Sequence, residues 1–160
     1  MEYILTTDNL TKIYGEKCAA DSVSLHIKKG DVYGLIGRNG AGKTTILKMI
    51  CGLSCPTRGS VTFLGKTGSE LSKEMHKIGS LIETPGLFPK MSAYQNLKIK
   101  CVLCGKDNDD YIKSLLKQVG LENVGKKHAQ SFSLGMKQRL GIALALVGDP
   151  EFIILDEPIN

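Results

Sequence analysis

The sequence predicts an α/β fold, and three of its features carry that prediction. A glycine-rich stretch, Gly37–Thr44, stands between a short apolar run and a segment with helical character. A second apolar run, Phe152–Leu155, ends in two carboxylates, as strands of parallel sheets do where ligands bind. Between them, roughly residues 88–148 have the apolar spacing of helices. We therefore expect a β-containing core around the glycine-rich stretch, with a helical segment inserted into it.

The first part of the chain is β-rich. Val23, Leu25 and Ile27 alternate with polar residues, which is typical of a strand with one buried face. Lys29–Asp31 supplies a turn. The apolar run Val32–Ile36 that follows predicts a short buried strand leading into the glycine-rich stretch.

Gly37–Thr44 has the pattern of a phosphate loop, which is glycine, four variable residues, glycine, lysine and Ser/Thr. Its glycines allow positive φ and a close approach of backbone N–H groups to phosphate oxygens; they are Gly37, Gly40 and Gly42. Lys43 is placed to reach the β- and γ-phosphates, and the Thr44 hydroxyl to ligate Mg²⁺. The helix that starts here, and that we expect to end near Gly52, turns its positive end to the same anion.

Tyr14 lies in Thr11–Gly15, ahead of this loop. An aromatic ring in that position can stack on adenine. On pattern alone, a tyrosine beside a glycine is more often part of a turn, and both interpretations stay open.

After the phosphate-loop helix we expect strands at Val61–Leu64 and Ile78–Ile82. Glu83–Pro89 then interrupts regular structure, because it contains two prolines and a glycine. Ser92–Gln95 is a capping box that opens a helix, and Gly105 is its predicted end.

Two further helices follow. The first has one apolar face and is closed by Gly120; the face is formed by Ile112, Leu115, Leu116 and Val119. The second begins at Ser133 as N-cap and is stopped by Gly148–Pro150; its apolar face comprises Met136, Leu140, Ala143, Leu144 and Val147. On local sequence alone, Ser133 and Gly135 mark only a capped helix start.

The run Phe152–Leu155 predicts a buried parallel strand with Asp156 and Glu157 at its carboxyl edge. Asp156 is the natural Mg²⁺ partner opposite Thr44, and Glu157 is a candidate general base that orients and deprotonates a water.

Composition narrows the functional classes. The 160-residue chain has a net charge of +5 with scattered basic residues, so we expect a solvated surface and no nucleic-acid partner. It shows no apolar stretch of membrane-spanning length and no secretory signal, which predicts a cytoplasmic protein. The five cysteines are then expected as thiols. Cys101 and Cys104 have the spacing of half a zinc site, and Cys51 and Cys55 could complete it, but their apolar surroundings favour packing.

Three segments, in their order along the chain, resemble the ATP-binding cassette of ABC transporters; they are Gly37–Thr44, Ser133–Arg139 and Leu155–Pro158. A narrower resemblance, to ATPases that export bacitracin- or lantibiotic-type peptide antibiotics, is carried by Gly37–Gly40, Leu81–Gly86 and Ser133–Gln138. The resemblance implies a P-loop NTPase core of the ABC type, with an N-terminal antiparallel β subdomain and an inserted α-helical subdomain near 88–148. The domain would occupy 1–160 and be truncated at its C-terminus.

The resemblance also implies an ATPase that uses ATP and Mg²⁺. The implied nucleotide contacts are Tyr14 on adenine, and Gly37, Asn39, Gly40, Ala41, Gly42, Lys43, Thr44 and Thr45 on the phosphates. The implied metal ligands are Thr44, Asp156 and Glu83, and the implied catalytic residues are Lys43 and Glu157. The implied signature residues, which contact the nucleotide of the opposite subunit in a head-to-tail homodimer, are Ser133, Gly135 and Gln138. Permease subunits would hold the protein at the inner face of the cell membrane.

Three positions depart from the family pattern. Leu134 replaces the first signature glycine, Glu83 replaces a glutamine that touches Mg²⁺ and water, and Ile159 replaces a threonine. Family members continue past Asn160 through a switch histidine, and the three histidines here lie upstream of the acidic strand; they are His26, His76 and His128. The predicted ATPase could then lose activity through truncation: residues 1–160 alone would bind nucleotide and hydrolyse it poorly or not at all. A soluble ABC-type ATPase acting on ribosomes or DNA, and a binding-only fragment, are the alternatives.

Overall fold

The computed structural model of the protein describes residues 3–157. The strands in that range are β1 Tyr3–Tyr14, β2 Lys17–Val23, β3 His26–Lys28, β4 Arg58–Phe63, β5 Lys66–Thr67, β6 Ile78–Leu81 and β7 Phe152–Leu155. The α-helices are α1 Lys43–Ile50, α2 Gly68–Glu74, α3 Ala93–Leu103, α4 Asp109–Gln118 and α5 Leu134–Leu146, and short 3-10 turns lie at Met75–Lys77 and Ala129–Ser131. The chain divides into two compact units, residues 1–75 and 76–160.

An antiparallel sheet forms the first unit. The long strand β1 pairs with β2, β3 and β4, and β5 adds to the outer edge of β4. Leu5, Leu10 and Phe63 are completely buried, and α1 contributes the buried residues Ile46 and Met49. The predicted N-terminal antiparallel β subdomain is therefore confirmed, and α1 begins and ends close to the predicted positions.

The predicted strand Val32–Ile36 is wrong. Residues 31–38 have no regular secondary structure, and the Val32 and Ile36 side chains are 102% and 96% exposed. A strand needs a neighbour to pair with its backbone N–H and C=O groups. No strand described within residues 3–157 pairs with this run, so its apolar character alone does not make it a strand.

Two parallel strands lie in the second unit. β6 pairs with β7 in a register that runs from Ile78 opposite Phe152 to Leu81 opposite Leu155. The predicted parallel strand is present, but of its residues only Ile154 is buried, while Ile153 and Leu155 are 41% and 37% exposed. A fully buried parallel strand has neighbours on both edges. Among the described strands β7 has one, so the prediction that it is buried was wrong.

Helices α3, α4 and α5 pack around a shared apolar core. Its buried residues are Ala93, Leu97, Cys101, Ile112, Leu115, Leu116, Leu121, Ala129, Phe132, Leu140, Ala143 and Val147. Ser92 forms the predicted capping box with Gln95, and Ser133 caps α5 as predicted. Cys101 belongs to this core, while Cys104 is exposed. Of the helices described in 3–157, none has both the length and the apolar character needed to cross a bilayer.

Candidate nucleotide-binding site

The phosphate loop adopts the backbone conformations that its glycines allow. Gly40 and Gly42 have φ of 81° and 88°, and Gly42 is the N-cap of α1. A Cβ on Gly42 would also come within 2.0 Å of the Ala19 carbonyl oxygen, so this position excludes any side chain on two grounds. Gly37 is different: its φ is not positive, and a Cβ there would meet only Ala41 Cβ, at 3.4 Å. Gly40 and Gly42 therefore use the positive φ that glycine allows, and Gly37 does not.

The Lys43 side chain folds back onto the start of the phosphate loop. Its Nζ donates to the carbonyl oxygens of Gly37 and Arg38, at 2.7 and 3.1 Å. The Ala41 N–H also donates to the Arg38 oxygen, at 3.1 Å, which tightens the turn. An ammonium group is thus held at the N-terminus of α1, where the helix dipole adds positive potential. The arrangement suits a compact polyanion that competes with these carbonyls for the lysine.

The other predicted phosphate contacts belong to the same loop or to the first turn of α1. Asn39 and Ala41 are exposed on the loop, and Thr44 and Thr45 are half-buried in the helix. Because the first N–H groups of a helix have no partner inside it, this turn can offer both backbone and hydroxyl donors.

Tyr14 lies at the end of β1, opposite Lys17 in the β1–β2 pair, and is 51% exposed. It is the last residue of the strand, directly before the turn at Gly15 and Glu16, so the turn itself lies next to it, and its side chain is accessible. The Lys12 ammonium lies 4.9 Å from the ring centroid, and the Tyr14 and Ser54 hydroxyl oxygens are 3.4 Å apart. Since Ser54 follows α1 closely, the structure brings the aromatic ring to the loop after the phosphate-loop helix.

Three acidic residues lie at the carboxyl edge of the β6–β7 pair. Asp156 directly follows β7, and its N–H donates to the Leu81 oxygen at 2.9 Å; Glu83 lies two residues beyond Leu81. Glu83 and Glu157 have φ of 61° and 46°, in the left-handed region that costs a non-glycine residue about 1–3 kcal/mol. Four other non-glycine residues share this conformation, so it does not by itself mark a site; they are Asn9, Ser22, Leu64 and Asp149. Ile159 lies outside the described residues.

These carboxylates are suited to bind Mg²⁺ together with a nucleotide. Within residues 3–157, no three His, Cys, Asp or Glu side chains are grouped so that they could hold a metal ion unaided. Mg²⁺ prefers oxygen ligands and is usually held by one or two carboxylates together with substrate phosphates. Asp156 and Glu83 fit that pattern, since the remaining ligands would come from a nucleotide and water.

The start of α5 is exposed. Ser133 Oγ accepts a hydrogen bond from the Met136 N–H at 3.3 Å, and Leu134 is 60% exposed. A Cβ on Gly135 would have no atom within 4 Å, so nothing in this chain's own packing demands a glycine there. Gln138, one turn later, is half-buried. A small residue at an exposed helix N-terminus leaves room for a ligand or a partner to approach the backbone.

A polar cluster that was not predicted from the sequence holds the turn between α5 and β7 in place. Tyr111 Oη donates to Asp149 Oδ1 at 2.9 Å and accepts from the Gly148 N–H at 3.1 Å, and Lys106 Nζ lies 3.2 Å from Asp149 Oδ2. The hydrogen bond from Tyr111, with that from Lys106, lowers the pKa of Asp149. Burial, followed by the bond to Asp149, raises the pKa of Tyr111. The cluster thus fixes Gly148 and Asp149, which lie shortly before β7 in the chain.

A sequence model of the family described as ABC transporter matches residues 20–160. The chain belongs to the ABC transporter family. It is 47% identical over 161 residues to the bacitracin transport ATP-binding protein BcrA of Enterococcus faecalis, covering 100% of this chain and 52% of that protein. It is 46% identical over 157 residues to the lantibiotic transport ATP-binding protein SrtF of Streptococcus pyogenes, covering 98% and 67%. The chain thus spans about half to two-thirds of the length of these ABC relatives.

Solved ABC structures share the fold. The ATP-binding subunit of an ABC transporter aligns with a TM-score of 0.85 at 29% identity, covering 98% of this chain and 67% of that one. A dimeric ATP-binding cassette in a post-hydrolysis state, bound to ADP and Pi, aligns with a TM-score of 0.84 at 29% identity, covering 96% and 74%. The predicted fold class, a P-loop core of the ABC type, is therefore confirmed.

Proposed function

We propose that this ABC protein binds Mg-ATP and hydrolyses it to energise a membrane exporter of a peptide antibiotic or a related compound. The observation that carries the proposal is the phosphate loop, in which Lys43 Nζ is held 2.7 Å from the Gly37 oxygen at the start of α1. A lysine and a helix N-terminus directed at one place form a binding site for a polyphosphate.

Each predicted residue takes a role in this proposal. Lys43 and the loop N–H groups hold the phosphates, and Tyr14 stacks on adenine. Thr44, Asp156 and Glu83 supply hydroxyl and carboxylate oxygens for Mg²⁺, which neutralises phosphate charge when it is bound with ATP. Glu157, which follows β7 at its carboxyl edge, accepts the proton of the attacking water.

The exposed start of α5 supports a head-to-tail homodimer. Ser133 and Gly135 would contact the nucleotide of the opposite subunit, with Gln138 behind them. The open space at Gly135 supports this role, because the glycine is otherwise unexplained. A related cassette with bound ADP and Pi is itself dimeric. In this arrangement Leu134, which replaces the usual glycine, would also face the partner.

The names of the relatives support transport as the purpose of the ATPase. Two are described as bacitracin and lantibiotic transport ATP-binding proteins, and a third similar protein, from Clostridium perfringens, is described as part of an ABC transporter complex. We infer that permease subunits are the partners and that the protein works at the inner face of the cell membrane. Copurification from detergent-solubilised cells tests this: an integral membrane protein should be the main partner, and ribosomal proteins or DNA in its place would refute export.

The nucleotide site is tested by calorimetric titration of Mg-ATP into Lys43→Ala. The loss of charge-assisted hydrogen bonds should weaken binding about ten- to a hundredfold. Lys100→Ala, which removes an equal charge from the exposed surface of α3, is the control and should bind as the parent does. Undiminished affinity for Mg-ATP in Lys43→Ala would refute the assignment of the phosphate loop.

Hydrolysis is tested with Glu157→Gln, which should still bind Mg-ATP but should abolish steady phosphate release. Tight ATP binding by the parent without any release would indicate a binding-only module.

A further inference from the structure

We propose that Lys12 is a positioning residue for recognition of the nucleotide base. Its ammonium group covers one face of the Tyr14 ring and holds that ring so that the opposite face can stack on a purine. The inference rests on the proposed function, because the ring has this role only when a nucleotide is bound at the phosphate loop.

The Lys12 ammonium group makes two contacts that fix its position. Its Nζ lies 4.9 Å from the centroid of the Tyr14 ring, within the range of a cation–π interaction. The same Nζ donates to the Cys55 carbonyl oxygen at 2.6 Å. A lysine side chain alone is flexible, and this hydrogen bond selects the conformation that places it over the ring. Tyr14 nevertheless stays 51% exposed, which leaves ring surface available for stacking.

The same segment is attached to the end of the phosphate-loop helix. The Thr57 N–H donates to the Thr11 oxygen at 2.8 Å, and the Ile13 N–H donates to Thr57 Oγ1 at 3.1 Å. The residues Ser54–Thr57 come directly after the turn that ends α1, whose first residue is Lys43. The aromatic ring and the phosphate-binding lysine are therefore connected through one short helix, within one unit.

This arrangement predicts a specific energetic effect. Stacking a base on a mobile ring requires ordering the ring, and a ring held in place beforehand avoids that cost. An exposed cation–π contact has a strength equivalent to about a two- to fivefold change in an equilibrium constant. Lys12 should therefore affect the binding of a nucleotide that carries a base, and not the binding of phosphates alone.

The experiment compares Mg-ATP with Mg-tripolyphosphate, which has the phosphate chain without the nucleoside. Both are titrated into the parent protein, Lys12→Met, Lys12→Arg and Lys17→Met. Lys17 is the matched control, since it lies opposite Tyr14 on β2, is exposed and carries the same charge. We expect Lys12→Met to bind Mg-ATP about two- to fivefold more weakly with tripolyphosphate unchanged, Lys12→Arg to restore ATP affinity, and Lys17→Met to change neither.

Each other outcome has a distinct meaning. Equal losses for both ligands in Lys12→Met would show that Lys12 acts on phosphates or on folding, and unchanged ATP affinity would show that it does not position the ring. Either result overturns the inference and leaves the phosphate loop intact. If the parent protein binds neither ligand, the proposed function fails instead. Unchanged tripolyphosphate binding also demonstrates that the variant is folded.

Discussion

Replacing Asn96 with alanine is expected to lower the free energy of unfolding by about 2–4 kcal/mol. Asn96 lies on α3 and is 2% exposed. Its Oδ1 accepts from the Phe88 N–H at 2.8 Å, and its Nδ2 donates to the oxygens of Phe88, Met91 and Ser92 at 3.2, 3.3 and 2.9 Å. One buried amide thus holds the loop between the Glu83 segment and α3.

The expected loss of stability follows from the hydrogen bonds that the partners of Asn96 keep after the substitution. Each of the three carbonyl oxygens has a second donor, since the Phe88 oxygen accepts from Met91 N at 3.1 Å, the Met91 oxygen from Ala129 N at 2.8 Å and the Ser92 oxygen from Asn96 N at 3.0 Å. The Phe88 N–H has no second acceptor among the residues described in 3–157. An orphaned N–H costs about 1–3 kcal/mol, and losing the donated bonds adds about 1 kcal/mol more.

The assay is urea-induced unfolding at pH 7, followed by far-ultraviolet circular dichroism, because the chain has no tryptophan. Asn123→Ala, at an exposed position, is the control and should change stability by less than about 0.5 kcal/mol. A loss below about 1 kcal/mol in Asn96→Ala would refute the reasoning.

Asn96→Asp separates the donor from the acceptor. It retains the bond from the Phe88 N–H but places a carboxylate oxygen among three carbonyl oxygens, so its pKa should be raised in the folded state. With a raised carboxyl pKa, the variant's deficit in free energy of unfolding relative to the parent is smallest below pH 4, the ordinary carboxyl pKa being about 4. In that pH range the acid is protonated and can donate a hydrogen bond. The deficit should then grow as pH rises towards 7. A deficit that does not vary with pH would contradict the donor assignment.

Two further changes test the second unit. Gly79→Ala places a Cβ 2.0 Å from the Ala145 carbonyl oxygen, so it should lower the free energy of unfolding in urea by about 2 kcal/mol or more. The control is Gly86→Ala, in open space, which should lower it by less than about 0.5 kcal/mol. Equal losses in the two variants would refute the packing argument. Tyr111→Phe removes the hydroxyl that lowers the pKa of Asp149 and should cost about 1 kcal/mol at pH 7. The lowered pKa of Asp149 gives the parent stability that is present above about pH 4 and is lost as the pH falls through the folded-state pKa. Tyr111→Phe should therefore lose less stability on acidification than the parent does. Parallel profiles of stability against pH would contradict this prediction.

Local signals in the sequence were sufficient wherever the structure is set locally. The capping box at Ser92 predicted the start of α3, and Ser133 predicted the start of α5, because the cap bonds connect residues three positions apart. The left-handed conformation of Gly42 is predicted by the phosphate-loop pattern for a different reason, which is that glycine has no Cβ. At the two serine caps, by contrast, a side chain satisfies a backbone N–H group three positions away.

Features that depend on distant neighbours were missed or mispredicted. The run Val32–Ile36 has the composition of a strand, but composition does not supply a pairing partner. Helix α2 buries no residue, so it has no apolar periodicity to reveal it. The bond between Tyr111 and Asp149 joins residues 38 positions apart, and only the packing of α4 against the end of α5 brings them together. Asn96 had a weak signal, a polar residue beside Leu97 on a helix that faces the core.

Helix α5 packs closely against the segment that contains Glu83. A Cβ on Gly141 would lie 2.7 Å from Pro85 Cβ and 2.9 Å from Leu81 Cδ1. Leu81 and Pro85 stand two residues before and after Glu83, so the helix contacts the chain on both sides of that carboxylate. Close-packed interiors have no free volume to absorb a displacement. A side chain at position 141 would therefore displace the chain beside Glu83 unless α5 itself shifted.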